Sequence, residues 1–230
     1  MINRSQSLKR IFPAFGAALV ASFALVALTA ASASALSYVP ADGTYPKAYS
    51  AASGAAATFE VAGYPSQRVV CESSPWTTQV TGNFTSANSG LFQLSFNGCK
   101  QPTYGLNCTT AGQPTGTILT KLLGVTPVYL NAEQTKYGLR LDGEGAEKTF
   151  ATFACGGSTR TWKGSVTVEI TSPLNVNTAS FKVVLNEATQ KAGSPNILAE
   201  YYSGLYLGSV TPITSYTMSA SGGVLAKFAP

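Results

Sequence analysis

The chain has 230 residues, 45% of them hydrophobic and 11% charged, with a formal net charge of +5 and no histidine. The missing imidazole excludes a Ser-His-Asp triad, a Cys-His dyad and histidine-ligated zinc. Arg4, Lys9 and Arg10 are three of the 15 cations, so 12 remain beyond residue 35 against 10 acids, a net +2 spread singly along the chain; this provides no basic stripe for a nucleic-acid partner.

The first 35 residues read as a secretory signal peptide. Three cations precede a run from about Phe15 to Thr29 that is almost wholly apolar, and Ala33-Ser34-Ala35 has the small-x-small pattern of a cleavage site before Leu36. A membrane helix needs about 20 apolar residues, and this run is shorter. No later run is long enough either, so the expectation is a secreted or cell-wall associated protein whose mature form has no membrane span. Residues 36–56, "LSYVPADGTYPKAYSAASGAA", lack periodicity and are expected to be a flexible lead-in.

Residues 57–230 carry the signature of a single all-β domain. Phe92, Leu94 and Phe96 alternate with Gln93 and Ser95, and Leu139 and Leu141 flank Arg140. Val166, Val168 and Ile170 alternate with Thr167 and Glu169, and Phe181, Val183 and Leu185 follow the same period of two. "TILTKLLG" fits two helical turns ending at Gly124 or a strand. Clusters such as "GNFTSANSG", "LDGEGAEK", "CGGST", "TSPLNVN" and "KAGSPN" supply the reversals. Short half-buried strands joined by tight turns predict an antiparallel β-sandwich or β-barrel.

The four cysteines, Cys71, Cys99, Cys108 and Cys155, allow three pairings. In an exported chain they are expected to be oxidised. Gly98, Pro102 and Gly105 make the 99–108 segment a tight loop, so the expected bridges are Cys99–Cys108 and Cys71–Cys155.

Several further chemistries lack their residues. Oxidised cysteines supply no thiolate, and the chain has no Ser-x-x-Lys, no Gly-x-Ser-x-Gly and no phosphate-binding Gly-x-x-x-x-Gly-Lys. Asp142, Glu144 and Glu147 cluster in a Gly-rich turn, which reads first as a solvated hairpin and second as a weak calcium site. A carboxylate-dependent hydrolase of extracellular polysaccharide has only Asp142, Glu144, Glu169 or Glu187 to build from. The aromatic residues Trp76, Trp162, Tyr201, Tyr202 and Tyr206 are candidates for ligand contact, because aromatic faces combine apolar area with a polar handle; most aromatics in such strands serve the core.

Three segments carry a resemblance. "LSFNGCKQPTYGLNCTTAGQPTGTILTKLL", "YGLRLDGEGAEKTFATFACGG" and "WKGSVTVEITSPLN" follow the order Phe-x-Gly-Cys, Cys-Thr, Gly-x-Ile-x-Thr, Gly-Leu-x-Leu, Phe-x-Cys, Gly-Ser-Val. In this the stretch from Val70 to Asn175 resembles a family of secreted actinobacterial proteins of unknown function, departing from it at "LGVTPVYLN". The resemblance implies export and oxidised cysteines, and it implies no catalytic residue and no cofactor. The expectation is a non-enzymatic module that binds cell-wall material or glycan at the cell exterior. The alternatives are the hydrolase and a barrel that holds a small apolar ligand.

Overall fold

The alternating segments become strands. In the computed structural model, residues 35–53, 55–72, 78–185, 198–220 and 225–230 are described, with positions 206, 208 and 211–220 described by their backbone alone. Residues 1–34 of the segment expected to be a signal peptide, and Trp76, lie outside the described residues.

Eight antiparallel strands close a barrel. Its order is β15 (Ser180–Leu185), β14 (Ser165–Ile170), β11 (Tyr137–Asp142), β10 (Leu123–Tyr129), β6 (Ser89–Phe96), β5 (Thr78–Ser86), β2 (Lys47–Ser53) and β17 (Leu205–Ala220), and β17 returns to pair with β15. The register runs Leu139 to Val168 between β11 and β14 and Val183 to Tyr216 between β15 and β17. Of the two architectures expected, the barrel is the one adopted. It removes exposed sheet edges, which otherwise recruit other strands.

The interior follows from the period of two. Phe92, Leu94, Phe96, Leu139, Leu141, Val166, Val168, Phe181 and Val183 are all buried, while Gln93, Ser95 and Arg140 are partly exposed. Gly138 answers a local demand, since a Cβ there would stand 1.8 Å from the Val168 carbonyl oxygen.

The segment expected to be a flexible lead-in is instead part of the structure. Lys47–Ser53 is barrel strand β2, and β1 (Ser37–Pro40) pairs with β18 (Ala226–Ala229). Aromatic burial accounts for the difference. Tyr38 stacks on Phe84 with ring centroids 4.1 Å apart, Tyr49 meets Phe84 edge-on at 5.7 Å, and Phe228 meets Phe181 at 5.0 Å. Such pairs add about 0.5–1.5 kcal/mol each beyond the burial of their area. The ribbon of β1 and β18 thus delivers two rings into one end of the barrel. Burial pushes the phenols of Tyr49 and Tyr137 up to about 12, and burial followed by the Tyr49 hydrogen bond pushes Tyr38 up as well.

A second, curled sheet is built from β16 (Leu198–Tyr202), β13 (Ser158–Lys163), β12 (Thr149–Cys155), β8 (Leu106–Thr109), β7 (Cys99–Gln101), β4 (Val69–Cys71) and β3 (Ala57–Val61). Both of its end strands pair with β17, β16 over Leu205–Val210 and β3 over Val210–Ile213. The 16-residue β17 therefore serves both sheets. "TILTKLLG" forms no helix: Ile118–Leu119 is the short strand β9 against β6, and Leu123 begins β10. Its β-branched residues favour the extended form.

The disulfides differ from the expected pairing. The bridges are Cys71–Cys99 and Cys108–Cys155, with Cα atoms 3.8 and 4.1 Å apart. Each joins residues directly opposite on neighbouring antiparallel strands, the close cross-strand geometry that admits a bridge. The 99–108 segment is a tight hairpin, but its strands pair only through Lys100 with Asn107 and Gln101 with Leu106. Beyond that point the Cys99 N–H donates to the Gly116 carbonyl at 2.7 Å and the Thr110 N–H to Thr117 at 2.8 Å. A third segment has wedged between the hairpin strands, and the cysteines bond outward.

Candidate functional site

Four connections of the curled sheet gather at one end. The β12–β13 turn uses Gly156 and Gly157 at φ +56° and +88°, and the β16–β17 turn uses Ser203 and Gly204 at +47° and +86°. Two central residues with positive φ make type I′ hairpins, whose twist matches the strands they join. The β7–β8 loop carries Tyr104 and closes at Gly105, with Tyr104 N–H donating to Gln101 O at 3.2 Å. The fourth connection holds a 3₁₀ turn, Pro65–Gln67, with Pro in its first turn, where its missing N–H matters least.

Between these connections lies a cleft of about 250 Å³, lined by Gln67, Gln101, Tyr104, Leu106, Cys155, Ser158, Arg160 and Tyr202. Its rim is aromatic and its floor polar. Tyr104 is 55% exposed and Tyr202 is 38% exposed, whereas Gln101 and Arg160 are buried.

The floor is a hydrogen-bonded set centred on Arg160. Its Nη1 donates to Glu200 Oε1 and to the Gln67 carbonyl oxygen, both at 2.9 Å, and its Nη2 donates to Gln67 Oε1. Gln101 Nε2 donates to Gln67 Oε1 at 2.8 Å and to the Ser66 carbonyl at 3.0 Å. The second oxygen of Glu200 accepts the Trp162 indole N–H at 2.9 Å. Burial pushes the Glu200 carboxyl up from its ordinary value, against the pull of Trp162 and Arg160. The Nε–H of Arg160, also buried, has no partner among the described residues. The ring of Tyr202 lies over the guanidinium at 5.7 Å, and its hydroxyl donates to Ser158 Oγ at 3.0 Å.

The residues expected to bind ligand fall in different places. Trp162 is 0% exposed, stacked on Phe59 at 4.3 Å and edge-on to Phe153 at 4.6 Å; it is core and positions Glu200, so it offers no contact surface. Tyr201 and Tyr202 point to opposite faces of β16, and only Tyr202 lines the cleft, while Lys163 Nζ sits 4.8 Å above the Tyr201 ring. The side chain of Tyr206 is outside the described residues.

The acidic turn does not assemble a calcium site. Asp142 is held by Arg140 Nε at 2.9 Å and Glu147 by Lys163 Nζ, while Glu144 pairs through its backbone with Thr149. Among the described residues no three carboxylates, cysteines or histidines converge on a possible metal. Opposite charges on the same hairpins draw these acids apart.

A second groove, about 460 Å³, is lined by Gln93, Thr110, Thr120, Lys121, Leu122, Glu144 and Thr152 among others. Gln93, Thr110 and Thr120 already engage backbone carbonyls there. Among the described residues, Glu144 is its single acidic lining residue, and the first cleft has none. Glu187 lies outside the described residues.

Sequence reasoning missed Gln67, Gln101, Tyr104, Ser158, Arg160 and Glu200. A signal existed for two of them: Arg160 shares its strand face with Trp162, and Glu200 shares its face with Leu198, so each places a charge on an apolar row. No family model, curated protein or solved structure matches this chain.

Proposed function

We propose that this protein is an exported, non-enzymatic module that binds glycan of the cell wall or its surroundings, and that the cleft between Tyr104 and Tyr202 is its ligand site. The observation that carries this reading is the pairing of two exposed tyrosines with a preorganised polar floor, the combination of apolar faces and fixed hydrogen-bonding groups by which small-molecule sites orient a ligand. The volume suits one sugar-sized group, being below the ~300–1,000 Å³ of drug-sized pockets.

Export is supported by the N-terminal sequence pattern and by two disulfides, which persist in oxidising compartments. Among the described residues, no helix is long and apolar enough to cross a membrane. A binding role is favoured over hydrolysis because, among the described residues, the cleft presents no pair of carboxylates, which glycoside hydrolysis requires at about 5–9.5 Å. An apolar ligand inside the barrel is disfavoured by the aromatic stack around Phe84.

The test is incubation of the purified chain with cell-wall fractions and a panel of soluble and insoluble glycans, assaying both retention and released sugar. Retention without release, reduced about tenfold by Tyr104→Ala and by Tyr202→Ala, is the expected result. Release of sugar that disappears in Glu144→Gln would make the protein a hydrolase.

A further inference from the structure

The donors of Arg160 can be counted. A guanidinium carries five N–H groups. Those on Nη1 reach Glu200 and the Gln67 carbonyl, and one on Nη2 reaches the Gln67 side chain, which leaves the second Nη2–H and the Nε–H. Of these, the Nε–H sits on an atom with no partner at all among the described residues, in a side chain that is 1% exposed. An orphaned donor on a buried charged group is costly, and here it belongs to a residue that lines a cleft.

The charge can be counted too. Arg160 is the one charged residue among the described residues lining the cleft, and Glu200, with both oxygens engaged, neutralises it. An anionic ligand would meet a cation already paired and would bring a second negative charge beside a buried carboxylate. That juxtaposition is unfavourable in a poorly solvated site.

We infer that the cleft selects an uncharged sugar, whose hydroxyl or amide oxygen accepts from Arg160 Nε–H while its C–H face lies on Tyr202 or Tyr104. The inference rests on the glycan-binding reading and adds to it the charge class and the group that is recognised. Tyr202 is the movable part. Its ring covers the guanidinium and its hydroxyl is anchored to Ser158 at the surface, so turning it outward exchanges one surface hydrogen bond and one cation–π contact for those of the ligand.

The experiment uses the full, oxidised chain and isothermal titration. Its panel contains neutral oligosaccharides (glucan, mannan, galactan, arabinan and chitin fragments) and acidic ones (oligogalacturonate and a sulfated glycan), each at low and at high salt. Binding of at least one neutral oligosaccharide, changed less than about threefold by salt, is expected. Tyr202→Ala is expected to weaken it about tenfold, and Tyr202→Phe, which keeps the ring, by less than threefold. Disulfide mapping and circular dichroism confirm that each variant folds. Tighter binding of the acidic sugars, weakened by salt, would overturn the inference and leave the glycan reading standing; so would neutral binding indifferent to both Tyr104→Ala and Tyr202→Ala. Retention of no glycan of either class would overturn the glycan reading itself.

Discussion

Removing Arg160 strands Glu200, a carboxylate that is 0% exposed. Arg160→Met is therefore expected to cost about 3–5 kcal/mol near neutral pH, measured by urea unfolding, because breaking a buried pair leaves a charge without compensation. The penalty has a pH signature. Burial already raises the Glu200 carboxyl, and loss of the guanidinium raises it further, so the folded variant holds the proton more tightly than the unfolded chain. The deficit should be small below about pH 4.3 and should grow as pH rises through the raised value. A deficit independent of pH would mean that packing, not charge, holds the pair. At the alkaline end, Tyr49 and Tyr137 titrate at about 12 in the fold against 10.0 ordinarily. Neutral phenols are favoured in the folded state, so stability is intact below pH 10 and is lost towards pH 12; tyrosinate absorbance should rise together with unfolding, and Tyr49→Phe should flatten that loss. Such residues were only partly legible in the sequence. Tyr202 is a contact candidate in the sequence because its aromatic face carries a polar handle, whereas Gln67 and Gln101 are ordinary amides whose importance comes from the strand order that brings residues 34 positions apart together.

At the scale of the elements, the bridge Cys108–Cys155 ties β8 to β12 at the wall of the cleft and spans a sequence separation of 47 residues. In the chain-entropy model a closure of that length contributes about 4 kcal/mol. The double variant Cys108→Ser with Cys155→Ser is expected to unfold at correspondingly lower urea and to lose glycan retention before it loses its β circular dichroism, because Cys155 itself lines the cleft. Retention unchanged in a folded, bridge-free variant would separate the disulfide from the site. The strands were the legible part of the sequence, since a period of two needs only local information: Phe92 to Phe96 and Val166 to Ile170 were read correctly as buried rows. The bridges were not, because the wedge formed by Gly116 and Thr117 is a long-range event with no trace in the spacing of Cys99 and Cys108. The lead-in failed similarly. Tyr38, Tyr45 and Tyr49 have no period between them, and Tyr38 and Tyr49 are buried against Phe84, with Phe228 also against Tyr38, far along the chain.

For the whole molecule, the decisive contact is between the first and last strands. Phe228 touches Tyr38, Phe84, Tyr137 and Phe181, and Phe228→Ala should cost about 3–5 kcal/mol by removing a buried ring. Calorimetry should show one lowered transition; a variant that kept wild-type stability would mean that the barrel closes without its ribbon. Closure itself is half legible: local alternation implies an all-β chain with two possible architectures, and the pairing of β17 with β15 decides between them. That same β17 has a mechanical meaning. It starts beside the cleft at Leu205, runs 16 residues, about 50 Å of extended chain, and ends at Ala220 opposite Tyr49, against which Tyr38 of the first strand packs. A tension applied between a ligand held in the cleft and the far end of the barrel would pull along the strands. Their hydrogen bonds would then resist together in shear, where a peeling load would open them one at a time.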